Sequence, residues 1–106
     1  MTDPDWRMRE LRERIDALDE QIVVLLNERA GCALRIGEIK RETGMPIYQP
    51  GRERDVLEHV RRVNGGPLDG GAVMRLFERI IDEARRLERE VQKAHDAGRT
   101  EAETDT

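Results

Sequence analysis

Two permanent cations stand where a helix would be expected to bury apolar side chains. An apolar series with 4-3-4-3 spacing runs through Leu11, Ile15, Leu18, Ile22 and Leu25, is interrupted by Arg29, and resumes at Cys32, Ile36 and Ile39. That spacing marks the seam of a long helix packed against other helices. A cation on such a seam is costly unless something anionic meets it. Lys40 follows Arg29 by eleven residues, close to three helical turns, so both project from nearly one face. A pair of cations on an inward stripe points to a pocket for a negatively charged small molecule.

Other polar residues sit on or beside apolar stripes. Arg52 and Glu53 fall one to two turns before Val56, Leu57 and Val60. Glu88 occupies a place in the 4-3-4-3 series Phe77, Ile81, Ala84, Glu88, Val91. Arg12 adjoins the seam residue Leu11 but points away from Arg29, and along a helix it stands about 25 Å from it. Within one chain these two arginines cannot grip the same small ligand; in an antiparallel dimer, Arg12 of one chain can approach Arg29 of the other. Taken singly, Arg12, Arg52 and Glu88 read as solvated charges whose stems lie over apolar surface. Taken together, inward cations accompanied by one or two acids suggest a dicarboxylate site.

Three helices are needed to position these groups. The first runs from about Asp5 to about Glu42, with Thr2 or Asp3 as cap, Pro4 in its first turn and Gly44 as its stop. An extended connector, Met45-Pro46-Ile47-Tyr48-Gln49, is held out of the helical region by Pro46 and Pro50. The second helix starts near Pro50, carries Val56, Leu57, Val60 and Val63 inward, and ends at Asn64-Gly65-Gly66-Pro67. Asp69 caps the third, whose stripe is Val73, Leu76, Phe77, Ile80, Ile81, Ala84, Leu87 and Val91. Residues 1–94 form the expected helical domain, and the polar stretch 95–106 is expected to be a disordered tail. No strand-like alternation and no internal repeat is present, so the fold class is all-α.

Composition agrees. Charged residues make up 40% of the 106 and aromatic residues 3%, as in long helices with solvated faces. A formal net charge of −4 argues against a nucleic-acid binder. No apolar run approaches membrane-spanning length, and no signal-peptide core opens the sequence, so a cytoplasmic location is expected. The single Cys32 excludes an internal disulfide and reads as a small seam residue rather than a nucleophile, since neither histidine lies near it.

Length adds an argument. A helix of about 38 residues spans roughly 57 Å, whereas a compact chain of this size has a radius of gyration of about 13 Å. Two shorter helices cannot cover the whole seam, and a second copy related by a two-fold axis is the simplest partner. The expected assembly is an intertwined helical homodimer. A monomer whose first helix breaks at Gly31 or Gly37 is the alternative.

The ordered set of motifs resembles the all-helical (type II) chorismate mutases. Leu11-Arg12-Glu13-Arg14-Ile15-Asp16-Ala17-Leu18-Asp19 is similar to the opening of that family. Asn27-Glu28-Arg29 and Ile36-Gly37-Glu38-Ile39-Lys40 continue its pattern. Pro46-Ile47-Tyr48-Gln49-Pro50-Gly51-Arg52-Glu53-Arg54 resembles the connector and second helix start, and Arg75-Leu76-Phe77 with Ile80-Ile81 the third helix. The resemblance covers roughly residues 8 to 91.

The resemblance implies a three-helix intertwined dimer with two sites, and it implies roles. Arg12 from one chain and Arg29 from the other would bind the two carboxylates of chorismate. Lys40 would contact a carboxylate and the ether oxygen of the breaking bond. Arg52 would add positive charge beside the ring, and Glu53 would accept from the C4 hydroxyl. Glu88 matches a position where relatives carry Gln or Glu facing the ether oxygen. Gln49 stands where an acid is common among relatives, and Ala84 replaces a small polar residue seen in some of them. No metal or organic cofactor is implied.

The implied reaction, a unimolecular Claisen rearrangement to prephenate, suits the residues. It requires that a compact diaxial conformer be held and that negative charge building on the ether oxygen be stabilised. A carboxylate at Glu88 would repel that charge and helps only when protonated, so activity is expected to improve as pH falls. Three other readings stay open: a mutase of the same fold acting on 4-amino-4-deoxychorismate, pyruvate elimination from isochorismate, and a non-catalytic dimerisation or regulatory module.

Overall fold

In a computed structural model, residues 3–46 and 49–104 are described. Three helices account for nearly all of them, α1 (Pro4–Thr43), α2 (Pro50–Val63) and α3 (Gly70–Thr104), with no strand among the described residues. The chain divides into two compact units, Met1–Cys32 and Ala33–Thr106.

The helix ends are set by local chemistry. Asp3 caps α1: its Oδ1 accepts from the Asp5 N–H at 3.2 Å, and its carbonyl from Arg7 N–H at 3.1 Å. Pro4 takes the first helical position, where a missing N–H costs nothing. Thr2, the other candidate cap, lies outside the described residues. At the C-terminus the Met45 N–H returns to the Lys40 carbonyl at 3.0 Å, with Gly44 between them at φ 72°. This left-handed closure favours glycine, the one residue without a Cβ to clash. The helix runs through Gly31 and Gly37 as one assigned element, so neither glycine ends it.

The first unit holds the N-terminal part of α1, most of it exposed in the single chain. Leu11, Ile15, Leu18, Ile22 and Leu25 retain 41–63% of their accessible surface. In the second unit Ile36, Ile39 and Cys32's successors continue the pattern: Ile36 and Ile39 are exposed, as is Cys32 at the end of the first unit. Gly37 is buried, and the Arg41 guanidinium one turn on lies where it would touch a Cβ placed there.

In the second unit α2 packs on α3. Val60 and Ile81 are the buried apolar residues, supported by half-buried Val56, Leu57, Val73, Phe77, Ile80, Ala84 and Leu87. The turn between the helices is closed by Asn64, which donates through Nδ2 to the Leu68 carbonyl at 2.7 Å and accepts from the Gly66 N–H at 3.2 Å. Asp69 then caps α3, its Oδ1 accepting from the Ala72 N–H at 2.7 Å. Gly70 permits the close approach of the helices: a Cβ there would stand 3.1 Å from Arg61 Cγ.

Three residues of the expected α2 and α3 stripes are exposed: Val63, Leu76 and, at 36%, Val91. Val63, at 65%, is the last residue of α2, where the chain leaves the helix at Asn64. Leu76, at 55%, lies at the edge of the α3 stripe rather than along its centre. The α3 backbone is helical through Thr104, beyond the end of the apolar stripe, and Gln92 Nε2 donates to Asp96 Oδ1 at 2.9 Å in that stretch. No helix is long and apolar enough to cross a membrane among the described residues.

Candidate active site

Charge burial singles out few residues. Among the charged side chains described, six are partly withdrawn from solvent: Arg29, Lys40, Arg41, Glu53, Arg85 and Glu88. Four of these, Arg29, Lys40, Glu53 and Glu88, are site residues expected from the sequence. Arg41 is accounted for by its place over Gly37. Partial burial of a charge is unfavourable unless a partner or ligand offsets it; Arg29 is the one of these in the first unit, and the other five lie in the second.

Each residue is placed by its element. Arg29 lies in the first unit, on the seam face of α1, and Lys40 lies in the second, within the last turn of the same helix. Lys40 is not without a partner within the chain. Gln49 precedes α2 and accepts through its backbone carbonyl from the Arg52 N–H at 3.1 Å, while its side chain makes no capping bond. Gln49, Arg52 and Arg12 are exposed. Ala84 and Glu88 are one turn apart on α3, hence on one face.

Glu53 is tied to α3. Its Oε2 accepts from Arg85 Nη2 at 2.8 Å, with side-chain exposures of 28% for the acid and 33% for the arginine. This pair joins two helices, whereas Arg35–Glu38, Arg79–Glu83 and Arg86–Glu90 link neighbours within one helix. Arg85 was not apparent from the sequence, because it stands in the run Arg85, Arg86, Arg89 and looks like one more solvated charge. Gln92 was also missed. Its Oε1 is buried without a hydrogen-bond partner, one turn beyond Glu88 on the same face. The only signal for it was the continuation of the polar positions Glu88 and Gln92 at helical spacing.

The chain is an all-α protein of three helices that carry partly buried cations and acids, and comparison with known proteins narrows the class. The family described as chorismate mutase type II matches residues 11–89, and the chain belongs to that family. A bifunctional chorismate mutase/prephenate dehydratase of Aquifex aeolicus is 41% identical over 92 residues, covering 83% of this chain and 25% of the relative. The chain thus spans about a quarter of the length of such bifunctional relatives. A chorismate mutase of Methanocaldococcus jannaschii is 28% identical and is covered over 86% of its length by 79% of this chain. Among solved structures, chorismate mutase form II of Thermus thermophilus superposes with a TM-score of 0.75 at 32% identity, over 78% of this chain and 94% of that one. Chorismate mutase of Helicobacter pylori, solved in complex with prephenate, gives 0.73 at 31% identity, over 81% and 93%.

Proposed function

We propose that this chain is a chorismate mutase, an isomerase that converts chorismate to prephenate without a cofactor. The observation that carries the reading is the partial burial of Arg29, Lys40, Glu53 and Glu88 in a chain whose other charged side chains are, Arg41 and Arg85 apart, exposed. Arg29 and Lys40 bind carboxylate, Lys40 and Glu88 serve the ether oxygen, Arg52 adds positive charge beside the ring, and Glu53 accepts from the C4 hydroxyl. Gln49 and Ala84 line the substrate at the positions where relatives carry more polar groups.

The functional assembly is an intertwined homodimer in which Arg12 is contributed across the interface. The uncovered apolar seam of α1 supports this, since a partner helix is what such a face requires. Residues 1–94 make up the mutase domain, and removal of residues 95–106 is expected to leave kcat unchanged. A lone cysteine and a small-molecule substrate suit a reducing cytoplasm, which fractionation of the source cells tests.

Catalysis here is orientation and electrostatics. A millionfold acceleration requires about 8 kcal/mol. Two preorganised donors at roughly 3 kcal/mol each, together with selection of the diaxial conformer, reach that value. Parallel assays with chorismate and 4-amino-4-deoxychorismate, following loss of the ring-diene absorbance and identifying products by mass, test the reading. Prephenate formation is expected. Turnover of the amino compound alone would move the enzyme to a different pathway, and silence with both would leave a non-catalytic helical module.

A further inference from the structure

Glu53 does not wait alone for substrate. Its carboxylate is already engaged by Arg85, which reaches from the middle of α3 to the first turn of α2 with Nη2 2.8 Å from Oε2. Both side chains are about two-thirds buried, at 28% and 33% exposure, so the pair is only partly screened by water. Arg85, the chain neighbour of Ala84, lies in the second unit with Glu53, and Glu88 follows Ala84 by one turn on α3. The arginine is thus bonded to one proposed site residue and adjacent in the chain to another, and its charge is not used by the roles assigned above.

We propose that Arg85 is a positioning residue that sets the C4 specificity of the enzyme, fixing Glu53 and cancelling its charge so that the site takes a neutral C4 hydroxyl in preference to a C4 ammonium. The inference rests on the mutase reading and on the placement of Glu53 at C4. A carboxylate engaged through Oε2 keeps Oε1 as an acceptor, and a hydroxyl donates to it without needing net negative charge. An ammonium at the same place gains from Glu53 but is repelled by the guanidinium bonded to it. With Arg85 absent, the uncompensated carboxylate attracts the cation and the balance reverses. Arg85 thus reads substrate charge at second hand, through the acid it holds, and steers selection against the wrong substrate as much as toward the right one.

The test compares the full chain with Arg85→Met, Arg85→Gln and Arg85→Lys, using chorismate and 4-amino-4-deoxychorismate. The quantity read is the ratio of kcat/KM for the amino compound to that for chorismate. Damage to folding or assembly lowers both numbers together and cancels in the ratio, so a merely structural role leaves it fixed. Loss of the charge in Arg85→Met or Arg85→Gln is expected to raise the ratio about tenfold or more, as for a unit charge a few ångströms away in a partly screened site. Arg85→Lys is expected to stay close to the parent. Either neutral variant suffices if the other does not fold. A parent that converts chorismate and a ratio unchanged in the neutral variants would overturn the role of Arg85 while leaving the mutase reading intact. A parent that converts neither compound would overturn the mutase reading and this inference with it.

Discussion

Replacing Ile22 by alanine tests the proposed assembly at its centre. Ile22 lies midway along the α1 seam and keeps 52% of its surface accessible in the single chain. Burying a whole isoleucine side chain is worth about 1.5–3 kcal/mol, so covering the remaining half contributes about 1 kcal/mol per copy. A two-fold dimer carries the substitution twice, which gives about 2 kcal/mol and a dissociation constant raised about thirtyfold. A residual cavity would raise the cost further. Sedimentation equilibrium over a range of concentrations measures it. Glu20→Ala is the control, since Glu20 is exposed and two positions from Ile22, on the far side of the helix. A parent that sediments as a monomer at micromolar concentration, or equal behaviour of the two variants, would refute the reasoning.

Arg29→Leu completes the apolar series of α1 and removes a cation proposed to bind substrate. The dimer is expected to tighten in the same sedimentation experiment while kcat falls at least about a hundredfold; a variant that keeps its activity would take Arg29 out of the site. Glu88→Gln supplies a permanent donor where the acid donates only in its protonated form. The parent's rate is expected to rise as pH falls and the variant's to vary much less, and matching pH–rate profiles would remove the ether-oxygen role from Glu88. Asp69→Ala deletes the cap on α3 seen at 2.7 Å from the Ala72 N–H. It is expected to lower stability by about 1 kcal/mol in urea unfolding, with Asp69→Asn recovering most of the loss.

The features legible from sequence are those fixed by near neighbours. Asp3, Pro4, Gly44, Pro50 and Asp69 each act on backbone within a few residues, and each ends or begins a helix where its chemistry requires. The apolar period of α1 and the oddity of Arg29 upon it are local and could be read, whereas Leu11, Ile15, Leu18, Ile22 and Leu25 are exposed in the single chain. Val63 and Leu76 show the limit. Both fit an apolar stripe, but whether a stripe position is covered depends on where the neighbouring helix ends, which no local pattern states. The Glu53–Arg85 pair spans 32 residues and joins side chains on two helices. Its existence follows from how α2 and α3 are rotated about their own axes, and an arginine among arginines gives no sign of it. Gln92, with its orphan buried acceptor, was hidden for the same reason.

The bare seam of α1 also bears on how the chain survives its own synthesis. A ribosome completes α1 before α2 and α3 exist, so a row of leucines and isoleucines enters the cell with nothing to cover it. Long uncharged apolar segments in that situation associate with one another at random. Here the first half of the seam is interleaved with charge, Arg12, Glu13 and Arg14 between Leu11 and Ile15, Asp16 after Ile15, Asp19 and Glu20 between Leu18 and Ile22, whereas Ile22-Val23-Val24-Leu25-Leu26 is an uncharged run. Mixed charges of both signs beside an apolar stripe disfavour random association and leave the apolar edge free for the proposed pairing with a second copy. Apart from Arg12, these charged residues have no part in the proposed site, and their use on the proposed dimer would be to keep chains dispersed before they pair.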